Sequence, residues 1–121
     1  MCVRVFLAED SEAVRKAIRT LLSECKDIKV VGEATTLSEA IQKSAELLPN
    51  EIIFDLHMAD GEEWRLSVAP KLLAISFAND DEAKALAESI GADKLLDKME
   101  LYETLISAIF ELAPERLTLY E

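Results

Sequence analysis

Two hydrophobic patterns alternate along the chain. Short unbroken apolar runs read as strands: Val3–Ala8, the stretch around Ile28, Val30 and Val31 within 27–34, Ile52–Phe54, Leu72–Ser76 and a brief 94–97. Between them, apolar residues recur every three or four positions, the spacing of one helix face. The first such stripe is Val14, Ala17, Ile18, Leu21, Leu22 and Cys25, and the second is Leu37, Ala40, Ile41, Ala45 and Leu48, closed by Pro49. A helix over 80–90 is stopped by Gly91, and a last one covers 99–113. A shorter, weaker helical segment is predicted over 62–68, after the Asp60-Gly61 turn and before Pro70.

Strict alternation of strand and helix implies an α/β architecture, a parallel sheet with helices on both faces joined by right-handed crossovers. Five strands in 121 residues suit the order 2-1-3-4-5, which is similar to the flavodoxin-like arrangement. Its ligand crevice lies at the carboxyl ends of strands one and three. The expected organisation is a single domain over 1–121, with 114–121 a tail or the start of a linker.

Composition narrows the field. Half the residues are hydrophobic and 31% are charged, a soluble globular profile with no run near the roughly 20 apolar residues of a membrane span. No signal pattern opens the chain, and Cys2 and Cys25 have neither metal nor disulfide-framework spacing, so the expected compartment is the cytoplasm. A net charge of −11 argues against direct contact with nucleic acid. The one histidine, His57, is expected far from both cysteines, which excludes a thiolate–imidazole pair.

The candidate chemistry lies where strands end. Glu9-Asp10 ends strand one and Asp55 ends strand three, so the 2-1-3-4-5 order brings three carboxylates to one edge. Carboxylates that close repel unless a cation intervenes, and Mg²⁺, a hard oxygen-seeking ion, is the natural neutraliser. Asp10 or Ser11 can also cap the first helix, with Glu12 favourable to its dipole, and capping is compatible with metal binding. Ser76 closes strand four and Lys98 follows strand five. Singly, each reads as a backbone-bonded hydroxyl or a solvated charge. Facing three acids, they suit a transferred phosphoryl group, whose charge spreads over its oxygens.

With these residues in register, the chain resembles a CheY-like receiver domain of bacterial two-component response regulators over nearly its whole length, a three-layer sandwich. The carriers are Glu9-Asp10, Asp55 after Ile52-Ile53-Phe54, Ser76, Lys98 after Gly91–Asp97, and Pro49 six residues before Asp55. The resemblance implies that Asp55 accepts a phosphoryl group from a sensor histidine kinase or phosphotransfer protein, as a nucleophile forming an acyl phosphate. It implies Mg²⁺ held by Glu9, Asp10, Asp55 and the backbone carbonyl of His57, with Ser76 and Lys98 on the phosphoryl oxygens. It implies no enzyme activity beyond the domain's own phosphorylation and dephosphorylation.

Four positions depart from the family pattern. Ala59 stands where a proline is usual, the span from Asp55 to Ser76 is short, the bulky Phe77 follows the switch hydroxyl, and Leu95 replaces an aromatic. Phe77 is therefore expected to supply the moving bulk of the switch. The departures motivate an alternative, a degenerate receiver that binds proteins without cycling phosphate. A small Mg²⁺-dependent phosphohydrolase is a second, opposed by the absence of a cap domain and of a glycine-rich phosphate loop in a chain with three glycines. In the last helix, Leu101, Leu105, Ala108, Ile109 and Leu112 suffice to pack on the sheet. Tyr102, Ile106, Phe110 and Ala113 form a second stripe, widening the apolar arc to roughly 200°. That excess predicts a partner interface at Tyr102, Ile106 and Phe110, for a homodimer or an effector domain beyond the C-terminus. The competing expectation is that the helix over 80–90 or the tail Leu117–Tyr120 covers it.

Overall fold

The computed structural model describes residues 2–59 and 70–113. The strands are β1 (Val3–Ala8), β2 (Ile28–Ala34), β3 (Glu51–Asp55), β4 (Lys71–Ser76) and β5 (Lys94–Asp97). The helices are α1 (Glu12–Ser23), α2 (Leu37–Leu47), α3 (Asp81–Ser89) and α4 (Leu101–Leu112). The 3₁₀ turns Leu56–Ala59 and Lys98–Glu100 follow β3 and β5. The strands form one parallel sheet, as the alternation predicts, in the flavodoxin-like order β2-β1-β3-β4-β5. The segment expected to be helical over 62–68, the Asp60-Gly61 turn and the tail from Pro114 lie outside the described residues.

Side chains alternate across each strand, so the sheet builds a core on either face. Phe6, Ile52, Phe54 and Leu72 pack with Ala40 of α2 and with Ala83 and Ala87 of α3. Val5, Leu7, Ile53, Leu73 and Ile75 pack with Ile18 and Leu22 of α1 and with Leu105 and Ile109 of α4. Full burial of each such Leu, Ile or Phe contributes about 1.5–3 kcal/mol.

Helix ends follow local chemistry. Ser11, Thr36 and Asp80 cap α1, α2 and α3 by accepting from the backbone N–H groups of Val14, Glu39 and Ala83. The end of α2 is unusual, because Leu48 adopts a left-handed conformation at φ 49° that normally falls to glycine. Arg4 holds it there, donating from its guanidinium to the Leu47 and Leu48 carbonyls at 2.8 and 2.7 Å. Gly32 lets α2 pack closely on the sheet, since a Cβ there would meet Leu47 Cδ1 at 2.6 Å and the Phe6 ring at 3.0 Å, and Leu47 would have to shift, beside an irregularity in the β1–β2 register.

Two helix faces differ from their sequence patterns. In α2, Ile41, Ala45 and Leu48 are exposed, and the inward face is Leu37, Ala40, Ser44 and Leu47. Ser44 is tolerated inside because its hydroxyl donates to the Ile41 carbonyl at 3.3 Å. In α4 the second stripe splits: Tyr102 is 79% exposed, while Ile106 and Phe110 are half-buried against the α1–α4 core.

Candidate functional site

Five of the sequence-predicted residues meet at the carboxyl edge of the sheet. Glu9 follows β1 and is fully buried. Its Oε2 accepts from the Ser11 N–H at 2.9 Å, and its Oε1 lies 2.8 Å from Lys98 Nζ. Asp55, the last residue of β3, is 2% exposed. Its Oδ1 accepts from the His57 N–H at 3.1 Å and lies 3.2 Å from Lys98 Nζ. Asp10 is exposed, and one carboxylate oxygen from each of Glu9, Asp10 and Asp55 lies within 4.8 Å of the others. Among the described residues Lys98 is thus the cation paired with Glu9 and Asp55, reached because β5 ends beside β4 with Ser76 opposite Asp97. Ser76 Oγ accepts from the Ala78 N–H at 3.0 Å, which ties down the loop after β4.

The charges condition one another. Burial pushes the Glu9 carboxyl up, with the Asp55 charge adding to it, and this outweighs Lys98 and the Ser11 N–H. Burial acts on Asp10 in the same direction, but its hydrogen bonds to the Asp55 and Glu9 carboxyls and the nearby Lys98 hold it below the usual range. Burial would lower Lys98, yet the Glu9 and Asp55 carboxylates raise it, so it stays charged. One cation facing three acids leaves an excess of negative charge. An oxygen-only donor set of this kind fits Mg²⁺ and not a soft metal.

These groups line a cavity of about 340 Å³, completed by Ser11, His57, Ser76, Phe77 and Ala78. Phe77 is 61% exposed, and its ring centroid lies 5.0 Å from Lys98 Nζ. Leu95 turns away from this site and packs with the α2–α3 core. His57 presents its backbone to Asp55 while its ring is exposed. Cys2 and Cys25 are free thiols on the segments before β1 and after α1, at the other end of the sheet.

Sequence reasoning missed two participants. Arg15 Nη1 donates to the Glu9 carbonyl at 3.0 Å while its Nε pairs with Glu33, pinning the β1–α1 loop to β2. The signal was an arginine one turn into the first helix, on the side facing the acids. The second is the Phe77–Lys98 contact, which becomes visible only when the β4–β5 register is known.

No protein-family model matches the chain. Among curated proteins it is similar to the transcriptional regulatory protein LiaR of Bacillus subtilis, with 34% identity over 102 residues, 78% of this chain and 48% of LiaR. It is also similar to the response regulator protein VraR of Staphylococcus aureus, with 45% identity over 60 residues, 50% of this chain and 29% of VraR. The chain thus spans about half the length of LiaR, or less than a third of VraR's in the matched part. Among solved structures, the signal receiver domain of the putative response regulator NarL from Mycobacterium tuberculosis superposes with a TM-score of 0.78 at 22% identity. That match covers 91% of this chain and 94% of the other. Sequence kinship to response regulators and the fold of their receiver domains meet in one assignment: the chain belongs to the CheY-like response-regulator receiver family.

Proposed function

We propose that the chain is a phosphoacceptor switch in which Asp55 takes a phosphoryl group from the phosphohistidine of a sensor histidine kinase or phosphotransfer protein. The observation that carries this reading is Asp55 itself: a buried carboxylate at a strand end, with Oδ1 held by Lys98 and the His57 N–H at the floor of an acid-lined cavity. In the transfer, an Asp55 oxygen attacks phosphorus, the P–N bond breaks, and the electron pair leaves with the imidazole. Lys98 and the Ser76 hydroxyl meet the phosphoryl oxygens. Ser76 accepts from the Ala78 N–H and keeps its own O–H to donate to phosphate, a bond that draws the loop carrying Phe77 inward and signals occupancy. Glu9, Asp10, Asp55 and the His57 carbonyl would hold Mg²⁺, which when bound would neutralise the carboxylates and the phosphoryl oxygens.

The test is intact mass after acetyl phosphate and Mg²⁺. Wild type is expected to gain one phosphoryl mass and Asp55→Asn none; equal gain in both removes Asp55 as acceptor. Asp10→Asn is expected to show a smaller Mg²⁺-induced rise in melting temperature than wild type, because it removes one of the three carboxylates that would hold the ion. An equal Mg²⁺-induced rise in both proteins would remove Asp10 as a ligand.

On this reading residues 1–121 are one receiver domain of a cytoplasmic regulator, with 114–121 a tail or the start of a linker. LiaR's name describes a transcriptional regulator. No described helix is long and apolar enough to cross a membrane. The partner surface is the exposed Tyr102 with the outer edges of Ile106 and Phe110, and its occupant is a second copy of the chain. Because Ile106 and Phe110 also pack in the core, Tyr102→Glu is the clean variant. Sedimentation should show wild type self-associating when phosphorylated and Tyr102→Glu monomeric, and wild type monomeric throughout would rule out this interface.

A further inference from the structure

The acceptor cavity has a floor and a rim of different character. Its floor is Glu9, Asp55 and the Lys98 side chain, which are 0%, 2% and 7% exposed. The exposed rim is Asp10, His57, Phe77 and Ala78. Among the described residues Phe77 is the one large apolar side chain on that rim, and it lies over Lys98 at a distance where an aromatic face attracts an ammonium. Its position is not explained by packing, since 61% of it remains in water. The same two residues, Phe77 and Lys98, also wall an adjoining groove of about 360 Å³, lined by apolar residues of α1 and the start of α4. The ring is thus a partition between a wet acidic cavity and an apolar one.

We propose that Phe77 is a positioning residue that roofs Lys98 and sets the lifetime of the phosphoryl group on Asp55. This rests on the acceptor reading of Asp55. Loss of the group requires a water oxygen to bond to phosphorus as the P–O bond to Asp55 breaks. The bonding pair returns to the Asp55 carboxylate, and the water's proton goes to solvent. That water enters across the rim, where the ring occupies space and offers no hydrogen bond. The ring also keeps Lys98 dry, which strengthens the ammonium's hold on the oxygens it faces. In this chain the residue after the switch hydroxyl therefore shields, and removing it opens the acid cavity toward the groove.

Phe77→Ala, Phe77→Leu and Phe77→Trp separate bulk from aromatic character. After labelling with acetyl phosphate and Mg²⁺ and removal of the donor, the phosphoryl mass of Phe77→Ala is expected to decay about fivefold faster than wild type. Phe77→Trp should decay at the wild-type rate and Phe77→Leu in between. Melting temperatures should agree among all four, because the ring is mostly exposed. An independent arm needs no phosphate: a small acylating reagent should modify the Lys98 amine several-fold faster in Phe77→Ala, read by peptide mass. Equal decay in wild type and Phe77→Ala overturns control of lifetime, and equal Lys98 labelling overturns the roof. If no protein, wild type included, gains phosphoryl mass, the acceptor reading fails, and the labelling arm still decides whether Phe77 covers Lys98.

Discussion

Lys98→Met is expected to destabilise the chain by about 3 kcal/mol at neutral pH and to make its stability depend steeply on Mg²⁺. Lys98 Nζ is 2.8 Å from a Glu9 oxygen and 3.2 Å from an Asp55 oxygen, and both acids are buried. Methionine fills similar volume without charge, so the loss is electrostatic. Removing one partner of a buried ion pair costs about 3–5 kcal/mol, because the remaining charge is left uncompensated. Here Glu9, whose carboxyl burial already pushes up, can take a proton and blunt the loss, which favours the lower end. Relief by protonation is greater in acid, so the difference from wild type should shrink as pH falls. A divalent ion supplies the missing charge, so Mg²⁺ should shift the urea midpoint further in Lys98→Met than in wild type. Matching midpoints for the two proteins, with and without Mg²⁺, would show that the lysine does not offset the acids.

The sheet and its acids were legible because both are written locally. An unbroken apolar run ending in an acid, as in Ile52-Ile53-Phe54-Asp55, specifies a buried strand and what stands at its end. Alternation implied a parallel sheet, likeness to the flavodoxin-like arrangement gave the strand order, and that order brought Glu9, Asp10 and Asp55 together. Helix faces were less legible where apolar residues outnumber what the core needs. In α2 the stripe Ile41, Ala45 and Leu48 is as regular as the true inward face, and the choice was made by Leu47, which packs near Gly32 and Phe6. In α4 the wide apolar arc is half used, since Ile106 and Phe110 reach into the core and Tyr102 does not. Phe77 and Lys98 meet only through the pairing of Ser76 with Asp97, a long-range register that no local pattern encodes. Leu95 stands where the family pattern has an aromatic, yet β5 turns it to the α2–α3 side, away from Phe77.

The least legible residue is Glu51, and it should govern how stability responds to pH. A glutamate opening a strand reads as a polar boundary. In the fold it sits on the central strand, flanked by β1 and β4, and is fully buried. Neither carboxylate oxygen has a hydrogen-bond partner among the described residues. Burial pushes its carboxyl up to about 8, with the Asp93 charge contributing. Glu51 is therefore protonated in the folded chain at neutral pH, whereas in the unfolded chain it ionises near the ordinary value of 4.5. Between those values the unfolded state binds fewer protons than the folded state, so stability falls as pH rises and levels off above about 8. At 1.36 kcal/mol per unit, the loss between pH 5 and pH 8 is roughly 3 kcal/mol. Glu51→Gln keeps the shape and removes the titration. Its own amide cost is the same at every pH, so the change in the difference from wild type is the diagnostic quantity. Urea unfolding at pH 5, 6.5 and 8 should show Glu51→Gln gaining on wild type by roughly 3 kcal/mol across the series. A constant difference would mean that Glu51 is already ionised in the folded chain and has found a cation.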